Sequence, residues 1–377
     1  SREAAVKSFV LLKNAGSVLP LNASAKIAFV GPMVQNQRDL IGNWSGAGDW
    51  RKAVSLWSAL EQKYGAGKFL YAKGCNLLDD TLLIAKLNPH DARIERDSRS
   101  PQQLIDEAVS VARQSDVVVV VLGESFGMSG EAASRSDIGL PENQRTLLRA
   151  LKETGKPIVL VLMNGRPLTL SWEDQNMDAI LETWFAGTMA GHAITDVLFG
   201  ESAPSGKLTM TFPRNVGQIP IYYNHKNTGR PFDHNQKYTT KYLDVPNTPL
   251  YAFGHGLTYT TFSYGDIRVS QETLRPGQSL TAQVTVTNTG TRAGTETVQL
   301  YIRDVVGSIT RPVKELKGFR QVLLQPGESK TITFRITEND LKFYNSDLKY
   351  VSEDGEFKIF IGGSSDRVQE AGFRLVK

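Results

Sequence analysis

The sequence predicts an α/β region, a mostly parallel sheet covered by helices (an α/β sandwich), followed by an antiparallel β-sandwich. Two apolar runs, residues 116–122 (DVVVVVL) and 157–163 (PIVLVLM), have no polar face. Such runs are typical of central parallel strands that are buried on both faces. They alternate with helical segments over residues 1–212, which indicates a sheet between two helical layers. From residue 262 onward the apolar residues recur at every second position, which predicts antiparallel strands.

The first region is predicted to open with a helix, because Ala4, Ala5, Phe9 and Leu12 share one helical face in the run REAAVKSFVLLKN. Prolines at the start of two later helical segments fit the first turn of a helix. The predicted strands are residues 26–31, 68–72, 116–122, 157–163 and 179–185, and the predicted helices are residues 53–64, 101–114, 142–154 and 189–198.

Residues 213–261 are rich in Pro, Asn, Tyr and Gly and have no sustained periodicity, so they are predicted to form an irregular connector. The third region, residues 262–377, is predicted to form a sandwich of about seven short strands. Turn signals at Pro276-Gly277 and Pro326-Gly327 separate its strands. The clearest strand candidates are residues 279–289, 297–303, 331–336 and 356–361.

Composition limits the classes of function. The 377 residues include 43 basic and 39 acidic side chains, and no dense basic run suggests nucleic acid as a partner. No apolar stretch approaches the roughly 18–20 residues that span a bilayer, so no membrane partner is expected. The single cysteine, Cys75, excludes an internal disulfide and a cysteine-based zinc site, and it is predicted to be a small buried hydrophobe. Because Ser1 leads directly into a packed segment with no initiator Met, we expect the chain to be part of a longer polypeptide.

The glycine-rich loop at residues 123–141 (GESFGMSGEAASRSDIGLP) is the first place to expect chemistry. It follows the valine-rich strand, and ligands of α/β sheets bind beyond the carboxyl ends of strands. Glu131 is the favoured candidate there, since Gly130 and two alanines leave it unobstructed and a partly buried carboxyl can act as a general acid. Asp137 and Glu124, six and seven residues away, are the other carboxyls of the loop and could equally be structural. The alternative is a solvated connection whose acids only confer solubility.

Two other motifs predict different chemistry. Residues 123–127 match G-x-S-x-G, which would make Ser125 a nucleophile with His192 or His255 as its base. That motif requires a helix immediately after the turn, whereas more than ten loop residues follow here. Residues 46–48 (GAG) suggest a dinucleotide loop, but they lie far beyond the strand end and lack a third glycine.

Four segments, in order, resemble the part of glycoside hydrolase family 3 β-glucosidases that follows their barrel. They are REAAVKSFVLLKNAGSVLPL at residues 2–21, ETWFAGTMAGHAITDVLFGESAPSGKLTMTFP at 182–213, LYAFGHGLTYTTFSY at 250–264 and ELKGFRQVLLQPGESKTITF at 315–334. The last segment is similar to the core of that family's fibronectin type III-like sandwich. The bacterial periplasmic β-glucosidases are the most similar members, so the resemblance implies a periplasmic or secreted protein.

The resemblance implies a split active site of a retaining exo-β-glucosidase, which releases terminal non-reducing β-D-glucosyl residues. A (β/α)₈ barrel would supply the nucleophile, and Glu131 of this chain would be the general acid/base. Trp44 lies in a loop similar to one that flanks the leaving-group sugar, and Trp44, Phe126 and Arg135 are expected to bind substrate on that side. Ser134 departs from the family's Asp at that position, and its role is open.

The implied partners are a β-glucoside or oligosaccharide substrate and the barrel portion of the same enzyme, and a homodimer is a further arrangement that the resemblance leaves open. The chemistry requires no metal or organic cofactor. Without the barrel, the chain is expected to be inactive. Two other classes of function stay open: a serine esterase that uses Ser125, and a non-catalytic carbohydrate-binding chain.

Overall fold

The computed structural model describes residues 1–377, which form two compact units. The first contains Ser1–Gly206 with Asn215–Gly217, and the second contains Lys207–Arg214 with Gln218–Lys377. Each unit has its own sheets and is described separately below. The three-part division of the sequence, with boundaries after residues 212 and 261, stays a prediction.

The first unit contains a six-stranded sheet with the strand order β1-β6-β5-β4-β2-β3. Its strands are β1 Val10–Asn14, β2 Ile27–Val30, β3 Leu70–Ala72, β4 Val117–Gly123, β5 Ile158–Met163 and β6 Ala179–Glu182. All neighbouring strands are parallel except β1, which pairs antiparallel with β6 at one edge. Every residue of β4 and β5 is buried, as expected for strands covered on both faces. The predicted mostly parallel, helix-covered sheet is confirmed.

Seven helices accompany this sheet: α1 Arg2–Ser8, α2 Leu56–Tyr64, α3 Thr81–Leu87, α4 Pro101–Arg113, α5 Glu142–Lys152, α6 Ser171–Asn176 and α7 Ala190–Leu198. Local sequence explains where α4 begins, because Ser100 and Gln103 form a capping box and Pro101 occupies the first turn. α6 was not predicted, since its six residues are too few to show a helical period. No helix is both long and apolar enough to cross a membrane.

The opening segment corrects one prediction. The helix ends at Ser8, and Val10–Asn14 is the edge strand β1, so Phe9 and Leu12 do not share a helical face. The reason is burial: residues 9–12 are all at most 2% exposed, whereas an amphipathic helix buries one side only. An edge strand hydrogen-bonded to β6 allows four consecutive apolar residues to be enclosed.

The strand order reverses direction between β2 and β4. From β2 the chain moves to β3 at one edge, and it then returns to β4, β5 and β6 on the other side of β2. In open α/β sheets the loops that leave two such strands diverge and open a crevice at the strands' carboxyl ends. The loops after β2 and β4 carry Trp44 and Glu131, respectively.

The second unit is built from strands. They are β7 Phe262–Tyr264, β8 Arg268–Val269, β9 Thr273–Leu274, β10 Ser279–Asn288, β11 Gly294–Asp304, β12 Glu315–Leu324, β13 Ser329–Thr337, β14 Phe343–Tyr344, β15 Tyr350–Val351, β16 Gly355–Gly362 and β17 Val368–Leu375. One sheet has the order β13-β10-β7, with β8 also on β10, and the other has the order β12-β11-β16-β17-β9. All pairs are antiparallel except β17 with β9, and β14 pairs with β15 as a separate ribbon. The predicted antiparallel sandwich is confirmed.

The sandwich core follows the predicted alternation in β10, whose residues 280, 282, 284 and 286 are buried. β11 departs from it, because Tyr301 is fully buried although it faces away from Leu300 and Ile302. The ring of Tyr223 lies 5.7 Å from that of Tyr301 and stacks at 4.2 Å on Phe253. These aromatic rings come from the irregular segment before β7, so that segment covers the second face of β11.

Candidate active site

The site begins at the carboxyl end of β4, where Gly123 leaves the sheet. Its backbone φ is +152°, and a Cβ there would lie 1.8 Å from the carbonyl oxygen of Met163 on β5. The buried side chain of Gln144 accepts a hydrogen bond from the Gly123 N–H and donates one to its carbonyl, both at 2.9 Å. The same amide donates to the carbonyl of Leu77. Glycine is therefore required at this exit, and α5 holds it in place.

A buried aspartate fixes the next two residues. Asp39 is 1% exposed, and its Oδ1 accepts hydrogen bonds from the Ser125 hydroxyl at 2.9 Å and the Phe126 N–H at 2.7 Å. Burial raises the pKa of Asp39, while these two hydrogen bonds and one from Asn36 act in the opposite direction. Ser125 is itself fully buried, and its hydroxyl donates to an aspartate. This geometry does not suit a nucleophilic serine, whose hydroxyl must be accessible to substrate and hydrogen-bonded to a histidine base.

Glu124 is a structural anchor. Its carboxylate is fully buried and accepts a 2.6 Å hydrogen bond from Nη1 of Arg135, while Nε of Arg166 lies 3.3 Å away. Burial raises the pKa of Glu124, and the two guanidinium groups oppose that shift. A carboxylate enclosed by two arginines cannot reach a ligand outside the protein, so Glu124 is excluded as the general acid.

Glu131 lies on the outer part of the same loop and is exposed to solvent. The backbone on each side of it adopts positive φ, +98° at Gly130 and +54° at Ala132. A Cβ on Gly130 would lie 1.6 Å from the side-chain nitrogen of Asn43. That nitrogen donates a 2.6 Å hydrogen bond to the carbonyl of Ser129, which ties the loop after β4 to the loop after β2. The tight backbone turns the Glu131 side chain outward.

Glu131 borders a cleft of about 750 Å³ formed by the loops after β2 and β4 and by α3. Its walls include Asn43, Trp44, Leu83, Leu87, His90, Phe126, Met128, Ser129, Glu131, Ser134 and Arg135. Glu131 is the only carboxylate among the residues that line the cleft. Trp44 is 75% exposed, which rules out a core role for its indole.

All four predicted site residues line this one cleft. Phe126 is mostly buried, with the Arg38 guanidinium 4.0 Å from its ring centre, and Arg135 is bound to Glu124. The roles assigned to these four residues stay predictions. Four supporting residues were missed: Asp39, Asn43, Gln144 and Arg166. Only Arg166 had a usable signal in the sequence, because it lies shortly after the predicted strand 157–163, where ligand-facing loops of α/β sheets begin.

A fourth acidic group, Glu182, lies at the end of β6. Glu182 is fully buried and accepts hydrogen bonds from the Trp184 N–H at 3.0 Å and the Asn164 side chain at 3.2 Å. Burial raises the pKa of Glu182 well above its usual value, and the nearby charge of Glu124 adds to the shift. No group of three His, Cys, Asp or Glu side chains is arranged to hold a metal ion.

Comparison with known families identifies both parts of the chain. Residues 9–259 match the glycosyl hydrolase family 3 C-terminal domain, and residues 296–365 match the fibronectin type III-like domain. The first match covers well over half of the 377 residues. The chain therefore belongs to glycosyl hydrolase family 3, as the sequence resemblance implied.

Curated proteins match nearly the whole chain. A periplasmic beta-glucosidase of Salmonella typhimurium is 52% identical over 379 residues, a match that covers 100% of this chain and 50% of the relative. A beta-xylosidase of Formosa agariphila is 40% identical and covers 96% of this chain and 48% of its own length. The chain thus spans about half the length of the curated relatives that it matches.

Solved structures show the same fold. A beta-glucosidase from Listeria innocua in complex with glucose superposes with a TM-score of 0.88 at 38% identity, over 100% of this chain and 49% of that one. A beta-glucosidase from Bifidobacterium adolescentis superposes with a TM-score of 0.80 at 30% identity.

Proposed function

We propose that this chain supplies the general acid/base, Glu131, of a retaining exo-acting β-glucosidase whose nucleophile lies in a barrel portion outside the chain. The observation that carries the proposal is that Glu131 is the only carboxylate lining the cleft at the sheet's switch point. Of the other two carboxyls of the loop, Glu124 is enclosed by arginines, and Asp137 accepts a 2.8 Å hydrogen bond from the Gly139 N–H and does not line the cleft. The 52% identity to a periplasmic beta-glucosidase supports the substrate class.

In the proposed mechanism Glu131 acts twice. Its protonated carboxyl first donates a proton to the departing glycosidic oxygen, while the barrel's carboxylate forms a glycosyl ester. The Glu131 carboxylate then accepts a proton from the water that hydrolyses this ester. Retention requires the two carboxyl groups to be about 5–5.5 Å apart, so the barrel must cover the cleft near Glu131. The solvent exposure of Glu131 in this chain leaves room for that approach.

We assign the leaving-group side of the substrate to the aromatic wall of the cleft, which is formed by Trp44 and Phe126. The exposed indole of Trp44 offers an apolar face that suits the C–H surface of a sugar. Phe126 and Arg135 line the same cleft, and Arg135 acts mainly by holding the loop through Glu124.

The finer substrate preference belongs to the barrel. Relatives that share at least 40% identity with this chain include a beta-glucosidase and a beta-xylosidase. The two sugars differ by one hydroxymethyl group, and this chain is similar to both enzymes. We therefore assign the choice of glycosyl group to contacts outside this chain, and we propose a periplasmic location from the Salmonella relative.

The test is hydrolysis of a β-glucoside with a poor leaving group by the full-length protein that contains this chain, comparing wild type with Glu131→Ala. General-acid assistance is worth about 10²–10⁴-fold, so we expect a loss of that size. An activated nitrophenyl leaving group needs little protonation and should recover much of the rate. Added azide should attack the glycosyl ester in this variant and give a glucosyl azide of retained configuration.

The matched control is Glu61→Gln, which alters an exposed glutamate of α2 and should not change either rate. Equal rates for wild type and Glu131→Ala on the poor substrate would reject the acid/base role. Sugar binding without a catalytic loss would favour the non-catalytic carbohydrate-binding alternative. The esterase alternative requires a loss of ester cleavage in Ser125→Ala, and the enclosed Ser125 hydroxyl argues against it.

A further inference from the structure

One arginine, Arg166, connects the loop that carries Glu131 to the neighbouring strand. It lies three residues after the end of β5, the strand next to β4, and its side chain is 18% exposed. Its guanidinium hydrogen-bonds the loop on both sides of Glu131.

The contacts of Arg166 bracket Glu131 in sequence. Its Nη2 donates hydrogen bonds to the carbonyl of Met128 and, over 2.8 Å, to the carbonyl of Ala133. These carbonyls lie three residues before and two residues after Glu131. The Nε of the same side chain is 3.3 Å from the Glu124 carboxylate, which is fully buried and fixes the plane of the guanidinium.

The loop needs such a brace because its own backbone provides little. Gly130 and Ala132 both have positive φ, a conformation that is costly for alanine. The one backbone hydrogen bond across this turn, from the Ala133 N–H to the Gly130 carbonyl, is 3.4 Å long. Side-chain donors therefore hold the turn in shape, and Arg166 supplies two of the bonds.

We infer that Arg166 is a positioning residue that fixes Glu131 for proton transfer by clamping the carbonyls of Met128 and Ala133. The inference rests on the proposed acid/base role of Glu131. Arginine is suited to the task because its planar fork bonds several acceptors in one fixed geometry, whereas lysine is a compact point charge on a flexible stem. A displacement of about 1 Å at a reacting group can cost about 10²-fold in rate.

The experiment is a double-mutant cycle in the full-length protein, with wild type, Arg166→Lys, Glu131→Ala and the double variant. We expect Arg166→Lys to lower kcat for a β-glucoside with a poor leaving group by about 10- to 100-fold. KM should change little, and the rate with an activated nitrophenyl leaving group should be largely preserved. Arg149→Lys, a surface arginine of α5, is the matched control and should leave both rates unchanged.

The cycle separates positioning from general structural support. If Arg166 acts through Glu131, Arg166→Lys should have little further effect in the Glu131→Ala background. An equal loss in both backgrounds would overturn the inference and leave the acid/base role intact. An unchanged rate in Glu131→Ala alone would overturn the proposed function and this inference with it.

Thermal unfolding of each variant is measured first. Should Arg166→Lys fail to fold, Arg166→Gln takes its place, because it keeps an amide donor and removes the planar fork, while the Glu124–Arg135 pair is left intact. A loss confined to the poor leaving group and absent in the Glu131→Ala background would support the inference. An unchanged rate, or a loss that persists in that background, would overturn it.

Discussion

The side-chain amide of Asn43 donates a 2.6 Å hydrogen bond to the main-chain carbonyl of Ser129, two residues before Glu131. This bond joins the loop after β2, which carries Trp44, to the loop after β4. Gly130 packs so closely on Asn43 that a Cβ there would overlap it. This contact at the switch point of the sheet thus links the segment that carries Trp44 to the segment that carries Glu131.

Asn43→Ala should loosen this contact without unfolding the protein. A hydrogen bond of this kind contributes about 0.5–1.5 kcal/mol to stability, so the free energy of unfolding should fall by no more than that. The rate on a poor-leaving-group β-glucoside should fall several-fold, because the Glu131 turn loses one of its braces. Denaturant unfolding and steady-state kinetics measure the two effects, and Asn339→Ala, an exposed asparagine of the second unit, serves as control. A fall in stability with full activity would contradict the assignment.

Trp44→Ala should affect substrate binding and not stability, since the side chain is 75% exposed. Loss of an aromatic stacking surface is worth about 0.5–1.5 kcal/mol, so KM for a disaccharide should rise about two- to tenfold. Methyl β-glucoside has no second sugar ring to stack on an indole, and its KM should not change. Trp44→Phe should retain most of the affinity. An equal effect on both substrates would remove Trp44 from the leaving-group side.

Gln144→Leu should destabilise the first unit. The buried amide satisfies the N–H and the carbonyl of Gly123 and the carbonyl of Leu77, and leucine would leave all three without this partner. A buried polar group left unsatisfied costs about 1–3 kcal/mol, and a loss of at least that size is expected in denaturant unfolding. Gln102→Leu, on the exposed surface of α4, should stay within about 0.5 kcal/mol of wild type.

Glu182→Gln should flatten the dependence of stability on pH. Burial raises the native pKa of Glu182 well above the ordinary value of 4.5. As pH rises from about 4.5, the carboxyl ionises first in the unfolded chain, so the free energy of unfolding falls until pH has passed the native pKa. The variant lacks this group and should lose less stability between pH 5 and 8 than wild type.

Thermal unfolding across that pH range makes the comparison for Glu182→Gln, with Glu61→Gln as the exposed control. The stability of the Glu61→Gln control should change with pH in the same way as that of wild type. Parallel curves for Glu182→Gln and wild type would contradict the prediction.

The strands could be predicted because the number of buried faces of a strand determines the pattern of apolar residues along it. β4 and β5 are enclosed on both faces, which requires continuous apolar runs, and β10 has one buried face, which requires alternation. The burial of Cys75 was also predicted correctly. β1 was mistaken for a helix because short apolar runs fit either period, and only its pairing with β6 separates the two.

The predicted site residues came together because the loops after β2 and β4 leave neighbouring strands. Their supports could not be predicted. Asn43 and Ser129 are 86 residues apart, and Arg166 and Glu124 are 42 apart, so no local pattern links them. The burial of the second face of β11 was missed because Tyr223, which packs on it, lies far away in the sequence in a segment without periodicity.

The sequence by itself determined the two fold classes, the order of most elements and the loop in which the chemistry is expected, because periodicity and glycine content act locally. Only the tertiary structure decided which carboxyl of that loop is available. Glu124 and Glu131 are seven residues apart, and both have small and polar neighbours in the sequence. Glu124 is nevertheless enclosed by two arginines, whereas Glu131 lines the cleft. Burial of a charge depends on which distant side chains can neutralise it, and folding alone brings those side chains together.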